Sequence, residues 1–242
     1  MKTGRPGPRL SVIMPVYNEE HTVLGSLDRV LAQPFVRDVV IVNDASRDGT
    51  ATQLATITDP RVTVVEHAVN QGKGAAIRTG IPRTLGPFVA IQDADLEYDP
   101  ADLERLLGPL DAGNADVVYG SRFLTGDARR VLYFWHSVGN RLLTLASNMV
   151  TNVNLTDMET CYKVFRKPYI DAITVEENRF GFEPEITVKM ARLGARIYEV
   201  GISYAGRGYD EGKKIGWKDG FSALRCIIWY GIRVKHSRLI EE

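Results

Sequence analysis

Cysteine is scarce in this chain: Cys161 and Cys226 are the two present, far apart and without metal-ligand spacing around either. That excludes a disulfide-stapled scaffold and a thiolate zinc site, and predicts a reducing, intracellular setting. No stretch approaches the run of about 20 apolar residues that a bilayer crossing needs. Residues 1–9, rich in Gly, Pro and basic side chains, lack the apolar centre of a secretory signal. The expectation is a cytoplasmic protein, or one peripheral on the cytoplasmic membrane face. An excess of one charge is missing too. Thirty basic residues balance 30 acidic ones, so nothing global calls for nucleic acid, and attraction to phosphate must come from local clusters. Internal repeats and long low-complexity tracts are also absent.

What is there is 242 residues with 44% hydrophobic content, enough for a sizeable core. Short apolar runs alternate with helical spacing. Leu10-Ser11-Val12-Ile13-Met14 reads as a strand stopped by Pro15, Val39-Val40-Ile41-Val42 as a second, Val62-Thr63-Val64-Val65 as a third and Phe88-Val89-Ala90-Ile91 as a fourth. A helical stripe through Val23, Leu27, Val30 and Leu31 separates the first two, and a helix is expected from Ala75 to about Pro82. The repeated alternation predicts right-handed crossovers and a mostly parallel sheet with helices on both faces. In such a sheet the polar tips share one edge, so Tyr17, Glu19, Asp44, Lys73, Asp93 and Asp95 are expected to converge there.

The sharpest tip is Gln92-Asp93-Ala94-Asp95-Leu96-Glu97, which ends the fourth strand. Carboxylates crowded this closely repel unless a cation or hydrogen-bond donors offset them. An all-oxygen donor set suits Mg²⁺ or Mn²⁺, although a solvated acidic turn has the same composition. Farther on lies a Gly-rich basic loop carrying Arg207 and Lys213. A diphosphate satisfies both features, because a divalent ion bridges its oxygens to the carboxylates while the loop cations neutralise the rest. Gly72-Lys73-Gly74 is no P-loop: His67 stands where the first Gly belongs, and Gly follows the Lys.

Beyond Gly126 the pattern changes. Val131, Trp135, Val138, Leu142, Leu145 and Met149 form a broad apolar stripe, with Arg129 and Arg130 at its start. Residues 219–238 repeat it through Phe221, Leu224, Ile228 and Ile232. Two explanations stand: core packing, or helices lying at a lipid interface.

Taken together, Pro15-Val16-Tyr17-Asn18-Glu19, Val42-Asn43-Asp44-Ala45-Ser46, Asn70-x-Gly72-Lys73-Gly74, Asp93-Ala94-Asp95-Leu96-Glu97 and Gly120-Ser121-Arg122-Phe123 carry a resemblance. In this order and spacing they resemble inverting family 2 glycosyltransferases, above all the dolichol-phosphate mannose synthases and bacterial polyprenyl-phosphate hexosyltransferases. The resemblance implies a GT-A fold, α/β with a Rossmann-like, mostly parallel sheet, followed by C-terminal amphipathic helices. It also implies a flexible segment over 1–9 and one transferase domain over 10–242, with 10–123 binding the nucleotide-sugar and 124–242 serving the acceptor and interface.

By the same resemblance Pro15, Tyr17, Glu19, Val42 and Asp44 hold the nucleoside of a GDP- or UDP-hexose. Asp93, Asp95 and Glu97 hold Mg²⁺ or Mn²⁺ with the diphosphate, and Ala94 allows close backbone approach. Arg122 faces the acceptor phosphate or donor sugar, while Arg207 and Lys213 clamp the leaving group. Asp95, Arg122 and Asp157 are the expected catalytic residues; if the acceptor is a hydroxyl, a carboxylate must take its proton, and the residues themselves offer Asp157 first, with Glu159 or Glu185 next. The implied reaction moves mannose or glucose to a polyprenyl phosphate at a membrane surface, with a membrane-protein partner in some arrangements. A soluble transferase acting on a small hydroxyl acceptor and a non-catalytic nucleotide-sugar-binding module are the alternatives.

Overall fold

A computed structural model describes residues 7–124, 131, 133–206 and 217–235, with backbone alone for 217–219. Among the described residues seven strands form one sheet in the order β3-β2-β1-β4-β6-β5-β7. The strands are β1 (Leu10–Val16), β2 (Val36–Asn43), β3 (Val62–Glu66), β4 (Phe88–Ile91), β5 (Val117–Ser121), β6 (Lys163–Arg166) and β7 (Ile197–Gly201). The helices are α1 (Val23–Leu31), α2 (Thr50–Leu54), α3 (Lys73–Gly80), α4 (Leu103–Asp111), α5 (Phe134–Thr151), α6 (Lys167–Asp171), α7 (Phe182–Arg192) and α8 (Trp217–Arg233). β1, β2 and β4 are almost wholly buried, as expected of β-branched runs covered on both faces.

The parallel half follows the expectation, with β1 pairing β2 and β4 in parallel. Pro15, expected to stop β1, instead lies inside it opposite Val42. Pairing with β4 ends at Ile13 and Ile91, so the missing N–H of Pro15 costs no ladder bond on that side. α3 begins at Lys73, two residues before the expected Ala75.

The alternation did not foretell β6, which runs antiparallel to both β4 and β5. Its reversal has a consequence for function. An antiparallel strand enters the sheet at the edge where its parallel neighbours finish, so the segment before β6, with Asp157, Glu159 and Cys161, arrives at the tips of β4 and β5.

The apolar stripes do not enter the core. Trp135, Leu142, Leu145 and Met149 are 78%, 62%, 56% and 77% exposed, while α5 turns Thr144, Ser147 and Thr151 inward. Phe221, Ile228 and Ile232 of α8 are likewise exposed, and Ala223, Cys226, Ile227 and Tyr230 are its buried side. Among the described residues no helix is long and apolar enough to cross a membrane.

Candidate active site

Three strand tips carry residues in the left-handed backbone region: Asn18 (φ 53°) after β1, Ala45 (φ 55°) after β2 and Leu96 (φ 63°) after β4. None is glycine, so each conformation costs of order 1 kcal/mol and is held by its surroundings, a pattern typical of functional edges. The Asn18 amide donates to Ser46 Oγ at 3.0 Å and its side-chain oxygen accepts the Arg47 amide at 2.8 Å. The Glu19 amide donates to Thr50 Oγ1 at 2.9 Å, and its carboxylate accepts the Thr22 hydroxyl at 2.7 Å. The first two tips are therefore sewn together.

Asp44, 3% exposed, is the knot that fastens the third loop. Its carboxylate accepts the amides of Gln71 (2.8 Å) and Gly72 (2.6 Å) and the Nδ1–H of His67 (2.7 Å). A carboxylate needs a donor, so His67 presents Nδ1–H to Asp44, and its Nε2 lies 2.9 Å from the Thr79 hydroxyl. Lys73, the next residue, reaches Asp93 at 3.0 Å and Glu183 of α7 at 3.2 Å. Burial disfavours its charge, but these carboxylates outweigh burial and raise the ammonium well above its ordinary range. Asp44 and Asp93 thus meet through adjacent residues. Val42, in contrast, is fully buried against Val40 and Ala76, and Ala94 is 3% exposed.

Asp95 Oδ1 accepts the Glu97 amide at 3.1 Å, closing the turn on itself. Glu97 accepts the Tyr204 hydroxyl at 2.6 Å, and the Tyr204 ring lies 5.3 Å beneath the Arg122 guanidinium. Arg122 therefore stands beside the acidic turn. It is gripped by Asp157, which accepts from Nε and Nη2 at 2.7 Å each and from the Arg122 amide at 3.0 Å. Asn140 of α5 donates to the same carboxylate at 3.1 Å. Burial would push the Asp157 carboxyl up, but Arg122 overrides it and holds the group below the usual carboxylate range. Four donors surround a carboxylate of zero exposure, which makes Asp157 a holder of Arg122.

The acidic turn fits a divalent ion in one way. Among the described residues no three metal-capable side chains cluster. The protein offers two carboxylates, Asp93 and Asp95, and Mg²⁺ commonly takes one or two of these and completes its shell with water and substrate phosphate oxygens. Lys73 on Asp93 shows that the turn attracts a cation.

Behind the site lies a buried polar group that the sequence did not reveal. Lys163 Nζ donates to the Thr160 carbonyl and sits 5.0 Å over the Tyr119 ring, and burial lowers its pKa. Burial, with Glu183 adding to it, pushes the Glu159 carboxyl up to about 8, and its buried Oε1 has no hydrogen-bond partner among the described residues. Arg207, Lys213, Arg129 and Arg130 lie outside the described residues. Lys73 was expected at this edge and is found there, while Glu183, Tyr204, His67 and Asn140 are the participants sequence reasoning missed. The missed residues come from distant segments without a local signal.

The family model described as glycosyl transferase family 2 matches residues 11–174. The chain belongs to that family and is a glycosyltransferase, so the non-catalytic alternative falls. It is 31% identical over 236 residues to the undecaprenyl-phosphate mannosyltransferase of Micrococcus luteus, covering 91% of this chain and 93% of that protein. It is 30% identical over 246 residues to the polyprenol monophosphomannose synthase of Mycolicibacterium smegmatis, covering 98% and 92%. Among solved structures, glucosyl-3-phosphoglycerate synthase from Mycobacterium tuberculosis in complex with Mn²⁺, UDP and phosphoglyceric acid superposes with a TM-score of 0.68. At 18% identity over 93% of this chain and 79% of that one, the match establishes the GT-A fold.

Proposed function

We propose that this transferase moves a hexose from a nucleoside diphosphate donor to a polyprenyl phosphate at a membrane surface. The observation that carries the reading is the pairing of two cationic devices at one sheet edge: Lys73 on Asp93, and Arg122 pinned by Asp157 and tied through Tyr204 to Glu97. One suits a donor diphosphate and the other an acceptor phosphate. Both named relatives act, by their names, on polyprenyl-type phosphates.

In this reading residues 10–123 bind the nucleotide-sugar, with Pro15, Tyr17, Glu19, Val42 and Asp44 around the nucleoside. Residues 124–242 serve the acceptor and the interface. Asp93 and Asp95 would hold Mg²⁺ or Mn²⁺, with Glu97 beside them; when bound, the ion supplies charge neutralisation for the leaving diphosphate. Arg207 and Lys213 would add to it. A lipid phosphate, whose second ionisation lies near pH 6, brings its own anionic nucleophile at neutral pH. No protein base is then needed, which suits an Asp157 already committed to Arg122. Phosphate oxygen attacks the anomeric carbon opposite the departing diphosphate, and the configuration inverts.

The exposed stripes of α5 and α8, flanked by Arg141, Arg225 and Arg233, suit an anionic lipid surface. The test is a donor panel of GDP- and UDP-hexoses with short-chain polyprenyl phosphate, reading nucleoside diphosphate release with and without acceptor. Acceptor-stimulated release supports the reading. Release stimulated only by soluble hydroxyl acceptors sinks it.

A further inference from the structure

The loop that holds Lys73 does not stand alone. Gly72 (φ 103°) and Gly74 lie flat against the 175–179 segment: a Cβ on Gly72 would come 2.3 Å from the Asn178 carbonyl oxygen, and one on Gly74 2.1 Å from that of Glu177. Only glycine permits so close a backbone approach. The Ala75 amide donates to the Asn178 carbonyl at 3.2 Å, and Arg78 of α3 donates to the Val175 carbonyl at 3.0 Å and Asn178 Oδ1 at 2.8 Å. Where the 175–179 segment sits, the Lys73 loop must sit.

α8 in turn holds that segment. Glu177 Oε1 accepts from Arg225 Nη2 at 2.8 Å and from the Tyr230 hydroxyl at 3.3 Å. Its other carboxylate oxygen and Cys226 Sγ close around Gly181, where a Cβ would meet them at 2.8 and 2.7 Å. From below, the Glu177 amide donates to Glu185 of α7 at 2.8 Å. The outer side of this junction is a polar concavity of about 540 Å³ lined by Asn70, Gln71, Asn178 and Ser222 among others. On that side, a few hydrogen bonds carry the connection in place of a packed apolar seam.

We infer that Glu177 is a positioning residue for the donor site: held by Arg225 and Tyr230 of α8, it sets the height of the Gly72–Gly74 loop and thereby the reach of Lys73 to Asp93. α8, which shows an apolar face to the outside, is on its inner side part of the donor site. The inference rests on the donor reading of the edge formed by Asp44 and Asp93.

The test measures GDP and UDP binding to the full chain by calorimetry in Mn²⁺, KM for donor and for short-chain polyprenyl phosphate separately, and melting temperature. Arg225→Ala removes an exposed guanidinium that meets Glu177, and nucleotide binding is expected to weaken about 3- to 10-fold, the worth of one such hydrogen bond. Glu177→Ala weakens it further, and adding Arg225→Ala to Glu177→Ala produces no additional loss. Glu177→Gln, which still accepts from Arg225 and Tyr230, recovers most of the affinity. Throughout, KM for the lipid phosphate stays within about twofold. The inference is overturned if wild type binds nucleotide and both alanine variants bind it equally well, or if donor and acceptor KM rise together with a fall in melting temperature. A wild type that binds neither nucleotide removes the donor reading itself, and the inference with it.

Discussion

Replacing Asp157 with Asn separates two roles that a buried carboxylate gripping the proposed acceptor-site Arg122 can play. In the folded protein each carboxylate oxygen accepts two hydrogen bonds: Oδ1 from Arg122 Nη2 and Asn140, Oδ2 from Arg122 Nε and the Arg122 amide. An amide in this place supplies one oxygen and one NH2, so in either orientation two former donors face another donor. The Arg122 side chain, 14% exposed, also loses its counter-ion. Breaking a buried pair in this way costs about 3–5 kcal/mol. For a chain of this length that lowers the melting temperature by about 6–20 °C.

The pH dependence has a definite sign. Asp157 has a folded pKa below its unfolded one, so its stabilisation is present above the unfolded value of about 4 and is lost as pH falls through the folded value. The gap between wild type and Asp157→Asn should be constant from about pH 5 to 8 and close only in strong acid. Scanning calorimetry across this range measures it, alongside acceptor KM, which rises as Arg122 loses its hold. An Asp157→Asn protein that melts with wild type while losing turnover, with an acidic limb in the wild-type rate profile, would refute the positioning role and make Asp157 a base.

Four further outcomes are expected. Glu159, its carboxyl raised to about 8 by burial, takes up a proton on folding, so wild-type stability falls as pH rises from about 4.5 through 8; Glu159→Gln flattens that slope, and an unchanged slope in urea titrations counts against the assignment. Gly74→Ala drives a Cβ into the Glu177 carbonyl and costs about 1–3 kcal/mol with weakened nucleotide binding, whereas Gly25→Ala, in an exposed part of α1 with open space around it, stabilises by about 0.5–1 kcal/mol; equal melting shifts would contradict the packing. Trp135→Ser with Leu142→Ser leaves the melting temperature nearly unchanged because both side chains are exposed, and reduces sedimentation with anionic vesicles; unfolding in place of lost sedimentation restores the core explanation. Asp95→Ala keeps the fold and abolishes divalent-dependent turnover, and activity that survives chelation in the wild type would remove the metal role.

The parallel half of the fold was legible because it repeats one local rule. A buried parallel strand is a continuous apolar run, and the residue where polarity returns marks its tip; Asp44 and Asp93 could be placed on one edge without knowledge of a single contact. Pro15 was misread because the rule for proline depends on which neighbour its N–H would face. That is set by where β4 stops, a fact of pairing rather than of sequence. The direction of β6 was invisible for a similar reason. Four residues, Lys163 to Arg166, pair equally well either way, and the choice is made by the chain's route through α5.

The apolar stripes show a different limit. Periodicity tells that one side of a helix is apolar, and burial of the other side decides where that face goes. In α5 the fully buried positions are Thr144, Ser147 and Thr151, of which Thr151 donates to the Ser147 carbonyl at 2.7 Å and Thr144 accepts the Met158 amide at 3.2 Å. With small polar residues packed inward, the larger side chains Trp135, Leu142, Leu145 and Met149 are left outside. A monomer in water gains nothing from that arrangement, since each exposed side chain forgoes about 1.5–3 kcal/mol of burial. The inversion is intelligible when a second apolar phase lies outside the protein, and the acceptor proposed for Arg122 would be anchored in such a phase.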